Sequence, residues 1–243
     1  MNETIDTMRA HRSIRSYTDD PIPQTHIDEA MLAGQAAASS SAVQPYCVIR
    51  VTDNDKRQQI ADLAGPQQKV RDCPAFFLIC SDLRKHMLIV ERSGNEYKTG
   101  LEAFLVGAVD ASLFAQNFTL AFEALGYGTC YIGGLRNDLP KVNELLNLPD
   151  GVLPLYGLCV GVPNESPSHR PRLAPKAMLF ENEYPSDEQT LASIDAYDEM
   201  YKQYLIERGA NPATWSESIA KKFSYANREG LADFYESKGA KLS

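Results

Sequence analysis

His11-Arg12-Ser13-Ile14-Arg15 packs two guanidinium groups, an imidazole and a hydroxyl into five residues. That set suits a phosphate or another anion, gripped by charge-assisted hydrogen bonds; taken alone, it also suits a solvated helix end. Ser39-Ser40-Ser41 offers hydroxyls and backbone amides, and Gln67-Gln68-Lys69 adds donors and acceptors that can address the polar edge of a ring. Either stretch can equally be a plain loop. Tyr131-Ile132-Gly133-Gly134 ends a strand in two glycines, which lets backbone amides approach a planar ligand or phosphate closely, or simply permits a tight turn. A second basic cluster, His169-Arg170-Pro171-Arg172, lies in a Pro-rich segment, and its arginines can converge with Arg15 on one anion.

Missing motifs narrow the chemistry. The chain has no Gly-x-Gly-x-x-Gly after a strand, no phosphate-loop Gly-Lys, no Gly-x-Ser-x-Gly elbow and no His-Glu-x-x-His pair. His26, His86 and His169 read as exposed polar residues, and no metal is expected. Cys47, Cys73, Cys80, Cys130 and Cys159 are scattered without a Cys-x-x-Cys pair, so they read as reduced core thiols. Anion and amide donors without a nucleophile or metal cluster imply a protein that holds a cofactor and leaves the reaction to it.

The positioning elements follow from periodicity. A helix over residues 5–10 leads into the first basic cluster, and Asp19-Asp20-Pro21-Ile22-Pro23 breaks regular structure. A helix from Gln24 to Ala38 precedes the serine run. Strands are expected over 47–52, 74–81, 128–132 and 153–162, with helices over 55–63 and 141–146. The long run from Gly100 to Gly126 keeps Leu101, Phe104, Leu105, Ala108, Ala111, Ser112, Ala115 and Phe118 near one face and reads as a central core helix. After the Pro-rich stretch, a helix over 188–208 carries Ile194, Tyr197, Met200, Tyr201 and Tyr204; a tail with so little core must cover its own domain or a partner subunit.

The formal net charge of −8 on 243 residues would repel nucleic acid. Apolar stretches such as Ala75–Cys80 and Val152–Val162 are too short to span a bilayer, and the acidic start lacks a signal peptide's basic and apolar regions. These features lead us to expect no nucleic acid, no membrane and a cytoplasmic location.

Together these clusters resemble the nitroreductase family, specifically its larger NfsA/Frp-type branch of oxygen-insensitive nitroreductases and NAD(P)H–flavin oxidoreductases. The resemblance runs through residues 11–15, 39–41, 65–67, 116–117, 131–137, 153–158 and 170–173. It implies an α+β sandwich, a mainly antiparallel sheet flanked by helices, in an intertwined homodimer. Residues 1–185 would form the FMN-binding core. Residues 186–243 would form a helical extension serving the dimer and the NAD(P)H or substrate site. By the same resemblance His11, Arg12, Ser13, Arg15, Ser39, Ser40, Gln67, Lys69, Tyr131, Ile132, Gly133, Gly134, Arg170 and Arg172 bind FMN. Arg208 would contact the pyridine nucleotide, and Arg228 would lie over the flavin and bind substrate.

The implied activity is two-electron, ping-pong reduction of nitroaromatics, quinones or free flavins by NAD(P)H through FMN, with no catalytic side chain required. A dedicated flavin reductase and a non-catalytic flavin-binding or redox-sensing protein remain as alternatives. Asn211-Pro212-Ala213-Thr214-Trp215 lacks a further arginine that strongly NADPH-selective members carry, so the preference between NADPH and NADH stays open.

Overall fold

Ala75–Asp82 (β2) is buried at every one of its eight positions, which only a strand covered on both faces can be. Its side chains alternate between two cores. Phe76, Leu78 and Cys80 pack with Ile60, Val70, Leu135 and Val142 on one face, while Phe77 and Ile79 pack with Ile27, Ala30, Phe114, Phe118 and Phe122 on the other. This computed structural model describes residues 2–242.

The chain runs α1 (Glu3–Ala10), α2 (Gln24–Gln35), β1 (Tyr46–Arg50), α3 (Asn54–Leu63), α4 (Gln68–Asp72), β2, α5 (Arg84–Arg92), α6 (Leu101–Ala124), β3 (Gly128–Ile132), α7 (Leu139–Leu146) and β4 (Val152–Gly161). The four strands form one sheet in the order β1-β2-β4-β3, and every pairing is antiparallel. The α+β expectation therefore holds. The sequence reading passed over α5.

Compact packing divides the chain into one unit that runs to Pro167 and resumes at Arg228, and another spanning Ser168–Asn227. The expected boundary at 185/186 differs from this division at both ends. Residues from Arg228 onward return to the first unit because α10 (Leu231–Ser237) supplies Phe234 and Tyr235 to a core with Leu83, Leu139 and Leu153. In β4, Pro154 has no N–H to donate, and the β2–β4 register skips Leu155 beside it. Tyr235 donates its hydroxyl to the Pro154 carbonyl (2.8 Å), and Arg136 donates to that of Leu155 (2.8 Å), so this bulge is satisfied from outside the sheet.

The structure corrects the reading of α6. Its buried residues are Gly107, Asp110, Ala111, Phe114, Ala115, Phe118, Thr119 and Phe122, whereas Leu101 and Leu105, expected inside, are exposed together with Val109 and Leu113 at 44–54%. Ser112 is exposed as well. A helix that is apolar nearly all round carries no phase to reveal which stripe faces the core. By length and composition α6 is also the one helix among the described residues that can cross a bilayer, which the reading of short apolar stretches missed. Its Phe114, Phe118 and Phe122 pack on β2, the place of a core helix.

In the second unit, α8 (Asp187–Glu207) and α9 (Trp215–Phe223) each begin with a capping box, Ser186/Gln189 and Thr214/Glu217. The Ser216 amide donates to Asp198 (2.9 Å), and Tyr197 meets Trp215 edge to face at 5.6 Å.

Candidate functional site

The first basic cluster is laid along the free edge of β3. Ser13 bridges Thr129 in parallel, and the Ile14 amide donates to the Thr129 carbonyl (2.9 Å). His11 caps the C-terminal end of α1, with its Nδ1 2.6 Å from Glu123, which also accepts from the Thr129 hydroxyl (2.8 Å). Glu165 accepts hydrogen bonds from the Arg15 and Ser16 amides, fixing the loop that carries Arg15. Arg15 itself is exposed, while Arg12 and Ser13 are half-buried.

A second segment reaches the same strand. Buried Arg57 donates to the carbonyls of Val70 (3.1 Å), Arg71 (2.7 Å) and Cys73, pinning the α4 turn with Gln67 and Lys69 to α3. Lys69 hydrogen-bonds Gln67. Burial pushes the Cys130 thiol of β3 up, and the charges of Arg15 and Lys69 pull against that rise. Those two cations, 54 residues apart in sequence, thus act on one point of the sheet edge.

Past β3, the chain turns through Gly133–Asn137. A Cβ at Gly134 would lie 2.2 Å from the Ala64 carbonyl oxygen at the end of α3, so only glycine fits there. Tyr131 is exposed next to the turn, its hydroxyl accepting from Thr119 (2.8 Å), and Ile132 is buried.

Arg228 comes to this turn from the far end of the chain. Its Nε donates to the Asn137 side chain (3.1 Å), and its backbone sits in the left-handed region at φ 58°, a strain typical of functional positions. Burial, and then the charge of Arg136, lower the Arg228 pKa. Arg136 was quoted within the 131–137 motif, but its positioning role was not foreseen; only the bulge beside Pro154 reveals it.

Ser39 and Ser40 are held differently. The Ser39 hydroxyl donates to Asp110 (2.7 Å) and accepts from the Gln44 amide (2.9 Å), and the Ser40 amide also donates to Asp110 (3.2 Å). Ser39 therefore anchors its loop to α6 through a buried carboxylate that is only 2% exposed. Ser41, Ala42 and Gln44 all adopt positive φ, concentrating strain in this loop. The sequence reading missed Asp110; its signal was a carboxylate midway along an apolar run.

Arg170, Arg172 and Arg208 belong to the second unit. Arg208 caps α8 and donates to the Tyr204 hydroxyl (2.7 Å). Burial pushes the Tyr204 phenol up, but hydrogen bonds from Arg208 and Arg170 outweigh it and bring it below its ordinary value. A cavity of about 700 Å³ in this unit is lined by Leu173, Phe180, Tyr184, Ile194 and Trp215 and contains none of the expected site residues.

His26 and His86, expected to be exposed, are half-buried; His26 meets the Tyr127 hydroxyl (2.7 Å) and His86 the Val43 carbonyl (2.7 Å). His169 is exposed. All five cysteines are free, four of them buried and Cys47 half-buried. Among the described residues no group of three or more His, Cys, Asp or Glu is arranged to hold a metal.

The Nitroreductase family model matches residues 8–162, and the model for the family's C-terminal domain matches residues 170–243. The chain is 40% identical to the FMN reductase (NADPH) of Bacillus subtilis over 245 residues, covering 98% of each. It is 37% identical over 243 residues to the oxygen-insensitive NADPH nitroreductase of Salmonella typhimurium, again covering 98% of each. The solved structure of the NfrA1 nitroreductase from B. subtilis superposes with a TM-score of 0.95 at 39% identity, covering 99% of this chain and all of that one.

Proposed function

The chain belongs to the nitroreductase family, and on that premise we propose that it is an FMN-dependent oxidoreductase using NAD(P)H to reduce nitroaromatics, quinones or free flavins. The observation that carries this reading is that the basic segment carrying Arg12, Ser13 and Arg15 is paired along β3, the strand that runs into the turn where Gly134 packs against α3 and which Arg228 reaches. The donor set fits FMN: cations suit its phosphate, while Gln67 and the Tyr131–Gly134 backbone suit the polar edge and face of a ring.

Bound FMN supplies the two-electron chemistry that takes hydride from NAD(P)H and passes it to an acceptor. This chain's own residues bind, orient and balance charge. Arg12, Ser13 and Arg15, with His11 fixed by Glu123, offer the phosphate a preorganised set of donors. Lys69, held by Gln67, would add positive charge beside a bound flavin and so favour its reduced form. By the family resemblance, Ser39, Ser40, Arg170 and Arg172 also serve FMN. Arg208 would hold the pyridine nucleotide, and Arg228, already drawn to Asn137, would bind substrate. Free space over one face would then be used in turn by donor and acceptor, as ping-pong kinetics requires.

We further read the enzyme as a cytoplasmic homodimer with small-molecule acceptors, the arm over residues 186–243 contributing to both assembly and the nucleotide site. The exposed apolar stripe Leu101, Leu105, Val109 and Leu113 supports self-association, since such a patch on a water-facing helix favours a covering surface. Relatives named as FMN reductase and as nitroreductase both match over nearly full length, so the preferred acceptor is a kinetic question. Steady-state kcat/KM for free FMN, a nitroaromatic and a quinone under NADPH answers it. Turnover of at least one supports the reading, whereas FMN-loaded enzyme that turns over none contradicts it.

A further inference from the structure

Between Glu102 and Glu123, Asp110 is the one charged residue of α6, and it is buried. Among the described residues no Lys, Arg or His lies at ion-pair distance from it. A buried charge without a counter-ion is costly unless hydrogen bonds satisfy it, and here they come from the serine loop: the Ser39 hydroxyl at 2.7 Å and the Ser40 amide at 3.2 Å. The same loop holds Ser41, Ala42 and Gln44 at φ 47°, 56° and 47°, a region that residues with a Cβ adopt only when their surroundings keep them there. The Ser39 hydroxyl supplies that hold twice, because it also accepts the Gln44 amide at 2.9 Å and so closes the loop on itself.

A hydroxyl has one hydrogen and two lone pairs, and an ionised carboxylate can only accept. The Ser39 hydrogen is therefore committed to Asp110, one lone pair is taken by Gln44, and a single lone pair remains on this half-buried residue. We propose that Asp110 is a positioning residue for flavin binding, which orders the serine loop and turns the Ser39 oxygen into a pure acceptor for a hydrogen-bond donor of FMN. The proposal rests on the flavin-binding role given to Ser39 above. Two kinds of group on FMN can donate, a ribityl hydroxyl and the ring N–H; its ionised phosphate and ring carbonyls cannot.

Asp110→Asn keeps the shape but offers an amide that can donate as well as accept, so the Ser39 hydrogen loses its fixed direction. The FMN dissociation constant of the full chain, read from the change in flavin fluorescence on titration, should rise about three- to tenfold, the scale of one hydrogen bond. Ser39→Ala should raise it by a similar factor, and the double variant should fall short of the product of the two factors, because without the hydroxyl the carboxylate has less to orient. The analogue 3-methyl-FMN, which lacks the ring N–H, separates the two donors: a Ser39→Ala penalty that vanishes with it assigns the ring N–H, and one that persists assigns a ribityl hydroxyl. A purely structural carboxylate would lower Tm and leave the FMN constant of the folded variant unmoved, which overturns the proposal. Should Asp110→Asn fail to fold, Ser39→Ala decides alone, a raised FMN constant supporting the proposal and an unchanged one overturning it. Wild-type protein that takes up no FMN would overturn the flavin reading and this proposal with it. Wild type that binds FMN, matched in its constant by both single variants, would overturn this proposal alone.

Discussion

The first and second units spend their apolar residues in opposite ways. In the first, β2 is buried at all eight positions, and Phe77, Phe114, Phe118 and Phe122 interlock with ring centroids 4.8–5.9 Å apart. In the second unit, α8 buries only Tyr197, Asp198 and Tyr204 of its 21 residues, and Met178, Leu179 and Tyr184 stand exposed. The first unit's sheet and helices hold a core that can stand by itself, and on its edge sits a rigid ligand frame. The second unit is made of capped helices, a tyrosine ladder and arginines, which gives it less to fold around and more to offer a partner or ligand.

The sharpest way to break that comparison is Phe118→Ala. Phe118 is fully buried, so its loss should cost about 3–5 kcal/mol and lower Tm by roughly 10 °C; a midpoint unchanged by calorimetry would deny that α6 is the core helix. Next comes Val109→Glu on the exposed stripe. The side chain faces water, so folding by circular dichroism should survive, but a charge on a self-association face should convert dimer to monomer in sedimentation velocity. If the wild type is itself monomeric, the homodimer reading fails.

Smaller effects separate the two arginine sets. Arg15→Ala should weaken FMN retention about tenfold or more, whereas Arg208→Ala should raise KM for NAD(P)H about tenfold with FMN still bound. The same loss of flavin from both variants would erase the distinction between frame and arm. Smallest is the alkaline limb of stability. Burial pushes Tyr235 up to about 12 from 10.0, and its protonated hydroxyl donates to Pro154. A raised folded value means that this contribution is whole below pH 10 and lost as pH rises toward 12. Tyr235→Phe should flatten denaturant-melt stability across that window; an equally steep decline would remove Tyr235 as its cause.

Much of the first unit was legible in the sequence because local pattern and burial agree there. The uninterrupted apolar run of β2 announced a strand covered on both faces, and β3 ended where its two glycines begin. The facing of α6 was not legible, since Leu105 and Phe118 are equally apolar and only the sheet decides which is covered. Nor was the hold of Asp110 on Ser39, a contact between residues 71 positions apart. The basic clusters announced anion binding by type, yet the place of Lys69 depends on how Arg57 folds α4 back onto α3. The hold of Tyr197 on the Pro171 carbonyl joins residues 26 positions apart, and spacing alone does not encode that.

The most direct test is the absorbance spectrum of the purified protein, reconstituted with FMN if needed, followed by anaerobic titration with NADPH and then NADH. The account predicts bound-flavin bands that bleach on titration, with the more effective nucleotide identifying the preferred donor. A colourless protein that cannot be reconstituted, or bound flavin that neither nucleotide reduces, would contradict it.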